Sequence, residues 1–202
     1  MSTIELDRPV AGSIDLPPPA LSSPPTLAHA LAGRHSGRAF RPDALPLAVL
    51  SSLLWSAYGI NRRASGGRTA PSAHNWQEID VYTVLPDAAY RNDAVAHRLL
   101  LVAAEDLRGA TGSQDFVASA PLNLVYTADF ARMHEATPEE RTFLAGADAG
   151  CIAQNVYLFC AGAGLATVVR GLIDRDRLAR ALGLSKAQRV ALAQSVGYPQ
   201  SA

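Results

Sequence analysis

Apolar residues recur at three- and four-residue spacing in two long stretches of this chain, "LPLAVLSSLLWSAYGI" (45–60) and "TPEERTFLAGADAGCIAQNVYLFCAGAG" (137–164). That period lays one apolar stripe along a helix. The first stretch predicts a buried helix ending near Gly59. The second predicts the longest helix: Thr137 and Glu140 form a capping box, Pro138 takes the first helical position, and Gly164 closes the run. Inside it Gly146, Ala147, Ala149, Gly150 and Ala153 make a line of small residues that allows close approach of another helix, in the core or across a dimer. Shorter helices are expected at "LAHALAG", with Thr26 as N-cap and Gly33 as stop, and at "DRDRLARALG".

Strands are read from β-branched and aromatic content in "EIDVYTVL", "LATVVR" and "RVALAQSVGYP", and in "APLNLVYTA", whose Pro121 is tolerable at the start of a strand. "DAVAHRLLLVAAEDL" satisfies neither period cleanly and fits helix or strand, while "NRRASGGRTAPSAHN" reads as a polar loop. Strands and helices mix without regular βαβ alternation, which favours an α+β layered fold over a doubly wound one. Ahead of them "DLPPPALSSPPT" (15–26) is too rich in proline for helix or a central strand. We therefore expect an extended arm over residues 1–26, suited to lying on a partner subunit, and a single domain over 27–202.

Composition narrows the classes. Charged residues are only 18% of the 202 positions while apolar residues are 49%, so some apolar surface is expected to be buried against another subunit. The formal net charge is zero, which leaves no overall basic field to recruit nucleic acid or an anionic membrane. No run approaches the ~20 apolar residues that cross a bilayer, and "MSTIELDRPV" does not read as a leader; a cytoplasmic location is expected. Cys151 and Cys160, nine positions apart on a helix, face opposite ways and read as inert core thiols that cannot bridge each other. The zinc-protease, paired-cysteine, P-loop and nucleophile-elbow patterns are absent. "GAGLA" (162–166) follows a helix where a dinucleotide loop would follow a strand, so it reads as a helix C-cap. The five histidines show no ligand spacing, and no metal site is expected.

The candidate chemistry starts at "AGRHSGRAF" (32–40), where Arg34, His35, Ser36 and Arg38 stand together with no carboxylate to balance them. Forked guanidinium donors and a neutral hydroxyl suit a dianionic phosphate. Each Arg within about 4 Å of such a charge gains on the order of 4 kcal/mol before desolvation. A solvated basic turn is the plainer reading. In "RTAPSAHNWQEIDVY", Ser72, Asn75 and Gln77 offer hydroxyl and amide partners to a planar heterocycle, although Asn75 equally suits capping the turn at Trp76. In "GLATVVRGLID" a strand ends at Arg170 and Gly171, where glycine lets backbone approach a flat ring or merely terminates the strand. Trp55, Tyr58 and Trp76 read as core or interface aromatics, and His74 as a loop residue without chemistry.

With these three segments in this order, the sequence resembles the FMN-dependent nitroreductase family, in detail its short members near the SagB-type dehydrogenases, from about Leu27 to Pro199. The resemblance implies a nitroreductase-like α+β layered fold, with a central, mostly antiparallel sheet flanked by helices in an intertwined homodimer. It also implies FMN at the subunit interface, NADH or NADPH as electron donor, and ping-pong transfer to a small-molecule acceptor such as a nitroaromatic or quinone. Arg34, His35 and Ser36 match the motif that holds the phosphate and ribityl chain. Arg38 matches the basic residue at the pyrimidine edge, where it would stabilise charge gathering at N1 and O2. Pro71, Ser72, Ala73 and Asn75 match the loop that reaches the flavin from the other subunit. Val168, Arg170 and Gly171 match the stretch whose backbone meets the ring near N5. Arg38 and Gly171 are the expected catalytic positions.

The chain departs from the family in two places. A basic residue commonly follows "GYP", whereas here Gln200, Ser201 and Ala202 follow, so phosphate binding falls on Arg34, with Arg68 as a possible helper. Arg170 stands where many relatives carry an acid, and its side chain is expected to steer an anionic substrate or a nicotinamide phosphate. No side chain suggests itself for protonating substrate, a role left to water. The alternatives are a SagB-like oxidase or dehydrogenase of a peptide heterocycle, disfavoured by the lack of a recognition domain; a flavin-binding module without turnover; and an anion-binding structural dimer.

Overall fold

The computed structural model describes residues 12–20 and 26–200. In chain order the elements are β1 (Ser13–Asp15), α1 (Leu27–Gly33), α2 (Leu47–Tyr58), β2 (Ile60–Arg62), β3 (Gly67–Arg68), β4 (Ile79–Val84), β5 (Ala89–Asp93), β6 (Arg98–Ala103), β7 (Leu122–Asp129), α3 (Pro138–Ala163), β8 (Ala166–Arg170), α4 (Arg175–Ala181) and β9 (Gln188–Gly197). Seven strands make one sheet in the order β1-β6-β5-β4-β7-β9-β8, and every neighbouring pair is antiparallel. The layered α+β arrangement expected from the element pattern is present.

The helices on one face form the main core. Ala145, Ala149, Ile152, Ala153, Val156 and Cys160 of α3, with Leu50, Leu53, Leu54 and Ala57 of α2, pack on Leu122, Leu124 and Tyr126 of β7. A smaller core on the other face joins Leu178 of α4 to Tyr82, Val125, Val190 and Ala193. With both faces covered, β7 is buried from Leu122 to Ala128, and this explains its nearly unbroken apolar reading.

Most predicted elements stand where the pattern put them. α1 carries Thr26 as N-cap, α2 ends at Gly59, and α3 has the expected capping box and closes on Gly164 at φ 68°. The small-residue line of α3 divides: Ala149 and Ala153 face the core, whereas Gly146, Ala147 and Gly150 are exposed.

Three readings change. The undecided stretch is strand β6, whose Leu99 is buried while Leu101 is 41% exposed; a half-covered strand shows no clean period. The stretch 60–68 is a hairpin, β2 with β3, rather than loop alone, and β5 was not foreseen because its second half is polar. Cys151 is exposed and only Cys160 is a core thiol, since a nine-residue step puts the two on different sides of α3.

The described part of the arm lies on its own chain. Ser13, Ile14 and Asp15 pair with Leu100, Leu99 and Arg98 at the sheet edge, and Ile14 and Leu16 are buried. Beyond them the Ser51 hydroxyl donates to Pro17 O and Ala20 N donates to Ser52 Oγ at 3.0 Å. The remainder, 1–11 and 21–25, lies outside the described residues.

Candidate functional site

The edge strand β8 and the loop after α1 meet in one corner of the molecule. β8 pairs with β9 on one side only, so every second residue turns its backbone N–H and C=O toward the open side. There Thr167 O accepts from Gly37 N at 3.0 Å, and Val169 N donates to Tyr157 Oη at 3.0 Å. Gly171 follows directly on the end of β8 and is exposed.

Tyr157, on α3, ties the corner together. Its hydroxyl also lies 2.8 Å from Ser36 Oγ, and the Arg34 guanidinium sits over its ring at 5.2 Å. The segment that follows is pinned to the chain end: Phe40 bridges Pro199, Arg41 N donates to Tyr198 O, and Gln200 N donates to Ala39 O. Gln200 thus contributes a backbone bond at the place where the family commonly carries a basic residue. Arg34 is partly buried, while His35, Ser36 and Arg38 are exposed; His35 Nδ1 donates to Gly33 O at 2.9 Å. Two sequence-predicted segments, 34–38 and 168–171, are therefore brought together, with the Arg34 guanidinium and the Ser36 hydroxyl gathered at Tyr157.

The third segment is held elsewhere on α3. Ala73 N donates to Asp148 Oδ2 at 2.8 Å, nine residues before Tyr157 and so about 13 Å away along the helix axis. Ser72 Oγ accepts from Gln77 N, and Gln77 Nε2 donates to Asn75 Oδ1 and Gly66 O. His74, Asn75 and Gln77 all have φ near +50°, which for non-glycine residues is strained and needs such holding. Arg68 stacks on Tyr58 at 4.9 Å and donates to Gln77 Oε1 and Tyr58 O. Those bonds engage Nε and Nη1 of Arg68 in supporting this loop. Asn75 takes part in the loop's own bonding, and His74 stacks on Trp76 at 4.4 Å.

Arg170 overturns one expectation. Its side chain is 4% exposed and turns inward, donating to Thr111 O at 2.7 Å, Thr111 Oγ1 at 3.3 Å and Asn123 Oδ1 at 2.9 Å. It cannot steer an incoming anion, because a strand-end residue following buried Val168 points to the same covered face of the sheet. Burial lowers its pKa to about 10, so it stays charged at neutral pH. By the same alternation the backbone N–H and C=O of Val168 and Arg170 face β9, so of the three only Gly171 has backbone left for a ligand at the open edge.

Sequence reasoning missed Tyr157, Asp148 and Glu78. Glu78, just before β4, is 0% exposed, and its carboxyl, beside Asp148, is pushed up to about 7 chiefly by burial. The available signal was a tyrosine and an aspartate falling on the apolar stripe of α3. A cleft of about 750 Å³ opens between α1, α2 and α3, lined by Trp55, Asn155, Leu158, Phe159 and Tyr198 among others, and it contains none of the candidate cofactor-binding residues named from the sequence. Among the described residues no group of side chains could hold a metal ion, and no helix is long and apolar enough to cross a membrane.

Residues 31–198 match the model of the nitroreductase family. A crystal structure from Ralstonia eutropha JMP134, titled as a "putative nitroreductase", superposes with a TM-score of 0.90 at 46% identity, covering 94% of this chain and 90% of that one. A curated Methanocaldococcus jannaschii protein named as a "putative nitroreductase" is 29% identical over 148 residues, 68% of this chain and 74% of the relative. The NADPH:FMN oxidoreductase of Vibrio harveyi, solved with NAD+, shares the fold at a TM-score of 0.62 and 20% identity, covering 87% and 69% of the two chains.

Proposed function

The chain belongs to the nitroreductase family, and from that premise we propose that it is an FMN-dependent oxidoreductase. It takes reducing equivalents from NADH or NADPH and passes them by a ping-pong mechanism to a nitroaromatic, quinone or related small acceptor. It works as a homodimer in the cytoplasm, each flavin held by residues of both subunits.

The donor set of the corner fits such a group. Arg34 and Ser36 suit a phosphate, and both are already positioned by Tyr157. Arg38 is exposed beside them and suits the electron-rich edge of a reduced ring. Gly171, exposed just past the end of the edge strand β8, is suited to turn its N–H to the ring, and with no side chain it leaves room for a flat heterocycle. Pro71, Ser72, Ala73 and Asn75 form the rigidly held loop that reaches the flavin of the partner subunit. When bound, FMN supplies the two-electron chemistry; the protein binds it, orients it and shields it from water. The observation that carries this reading is the single hydroxyl of Tyr157 joining the Ser36 segment to β8.

The test begins with the visible spectrum of the purified protein, which is expected to be that of bound FMN, bleached rapidly by NADPH or NADH without oxygen. Arg34→Ala should weaken FMN affinity tenfold or more, since removing one charge-assisted phosphate contact costs about 1.5–3 kcal/mol. Unchanged affinity would overturn the role of Arg34. Bound flavin that neither nicotinamide reduces would make the protein a binding module, and a colourless protein that takes up no FMN would defeat the reading.

A further inference from the structure

The loop at 71–77 stands over two buried acids. Asp148 is 7% exposed and Glu78 fully buried. Asp148 spends one oxygen on Ala73 N, while neither Glu78 oxygen meets a donor from another described residue; Asp148 lies alongside it, and burial outweighs the pull of Glu78's own backbone N–H and of Arg132 toward the ionised form. Two carboxylates cannot both stay ionised in such a place without a cation between them, and sharing one proton resolves the conflict. The cations nearby are otherwise engaged. Arg68 is bonded to Gln77 and Tyr58, and Arg132 to Gln77 O and the Asp80 carboxylate. The remaining titratable neighbour, Tyr58 on α2, has its phenol raised to about 12 by burial and then by Glu78, so it adds no charge at neutral pH.

We propose that Glu78 and Asp148 hold one proton between them, and that this proton locks the 71–77 loop by letting Asp148 keep its bond to Ala73 N. Glu78 donates O–H to the Asp148 carboxylate, and that carboxylate accepts N–H from Ala73. Both acids are positioning residues, and their relevance to cofactor binding rests on the reading that this loop reaches the flavin. Loss of the proton leaves two negative charges side by side beneath a strained loop, which loosens. The direction follows from the protonated form being favoured in the folded protein: the lock is closed below about pH 7 and opens as pH rises through that value.

The test is the hydrogen-exchange protection of the Ala73 amide in the flavin-free protein, measured from pH 6 to pH 8.5 and corrected for intrinsic exchange. Wild type should lose about tenfold or more of its protection across that range, because each pH unit above the pKa cuts the protonated fraction about tenfold. Glu78→Gln supplies a permanent donor to Asp148 and should hold protection flat. A wild-type profile without pH dependence, or the same slope in Glu78→Gln, overturns the proposal. If Glu78→Gln does not fold, infrared difference spectra of wild type decide: a protonated-carboxyl band must disappear over the same interval as Ala73 protection, and its absence at pH 6 overturns the proposal. FMN titration at pH 6 separates the two readings, because a protein that takes up no flavin yet shows the Ala73 profile supports the lock and defeats the flavin assignment.

Discussion

Arg170 and Glu78 are buried to nearly the same extent, at 4% and 0% exposure, and the protein treats them in opposite ways. The guanidinium behind β8 meets only neutral acceptors, Thr111 O, Thr111 Oγ1 and Asn123 Oδ1. Asn123 is itself held by Ser195 Oγ at 2.6 Å and by its own donation to Val117 O. Glu78 meets another acid. The guanidinium keeps its charge through neutral pH even with its pKa lowered to about 10, so its network of oriented dipoles does not change there; a carboxyl raised to about 7 can take up a proton and become neutral. The difference teaches that the β8 edge is supported by a fixed charge and the 71–77 loop by a titrating one. The two halves of the candidate site should therefore respond differently to pH.

Removing the fixed charge should have the largest effect. Arg170→Ala leaves a cavity and takes the donors away from Thr111 O and Asn123 Oδ1, and we expect a loss of about 3–5 kcal/mol in urea unfolding. Arg170→Met fills the space without the charge and should lose only about 1–2 kcal/mol. A methionine variant as stable as wild type would mean the guanidinium contributes nothing beyond volume.

The titrating charge should come next, and only above mid-acid pH. Glu78 has its pKa raised from 4.5 to about 7. Its stabilising effect is therefore complete below about pH 4.5 and falls away as pH rises to 7, by up to about 3 kcal/mol. Wild-type unfolding free energy should decline over that interval relative to Glu78→Gln, and parallel curves would remove the contrast with Arg170.

How much of this was legible depended on whether the signal was local. The helix caps at Thr26, Thr137 and Gly164 are set by a few neighbouring residues and were read correctly. So were the four β-rich strands, because their apolar residues face covered layers. Strand β5 was invisible since "AYRND" is strand only through its partners β4 and β6. Within the site, the basic cluster at 34–38 and the end of β8 could be singled out by residue type. Their junction could not, because Tyr157 lies 121 positions from Ser36 and looks like one more aromatic on an apolar stripe. The side chain of Arg170 was misjudged for a similar reason: strand register, which sends it inward, is fixed by β9 and not by its own neighbours.

Tyr157 supplies the uncharged reference for both charged clusters, and its removal should have the smallest effect of the three. Tyr157→Phe keeps the ring beneath Arg34 but deletes the oxygen shared by Ser36 Oγ and Val169 N. Both former partners are near the surface and can turn to water, so we expect a loss of about 1–2 kcal/mol, with no dependence on pH between 5 and 8. The effect on the proposed cofactor should be proportionally greater, a several-fold weaker FMN affinity, because the same hydroxyl sets the spacing between the 34–38 loop and the β8 edge. Fluorescence titration at pH 6 and pH 8 measures this directly. If the loss in Tyr157→Phe grows with pH as it should for the acid pair, the corner and the 71–77 loop are coupled and cannot be treated as separate supports.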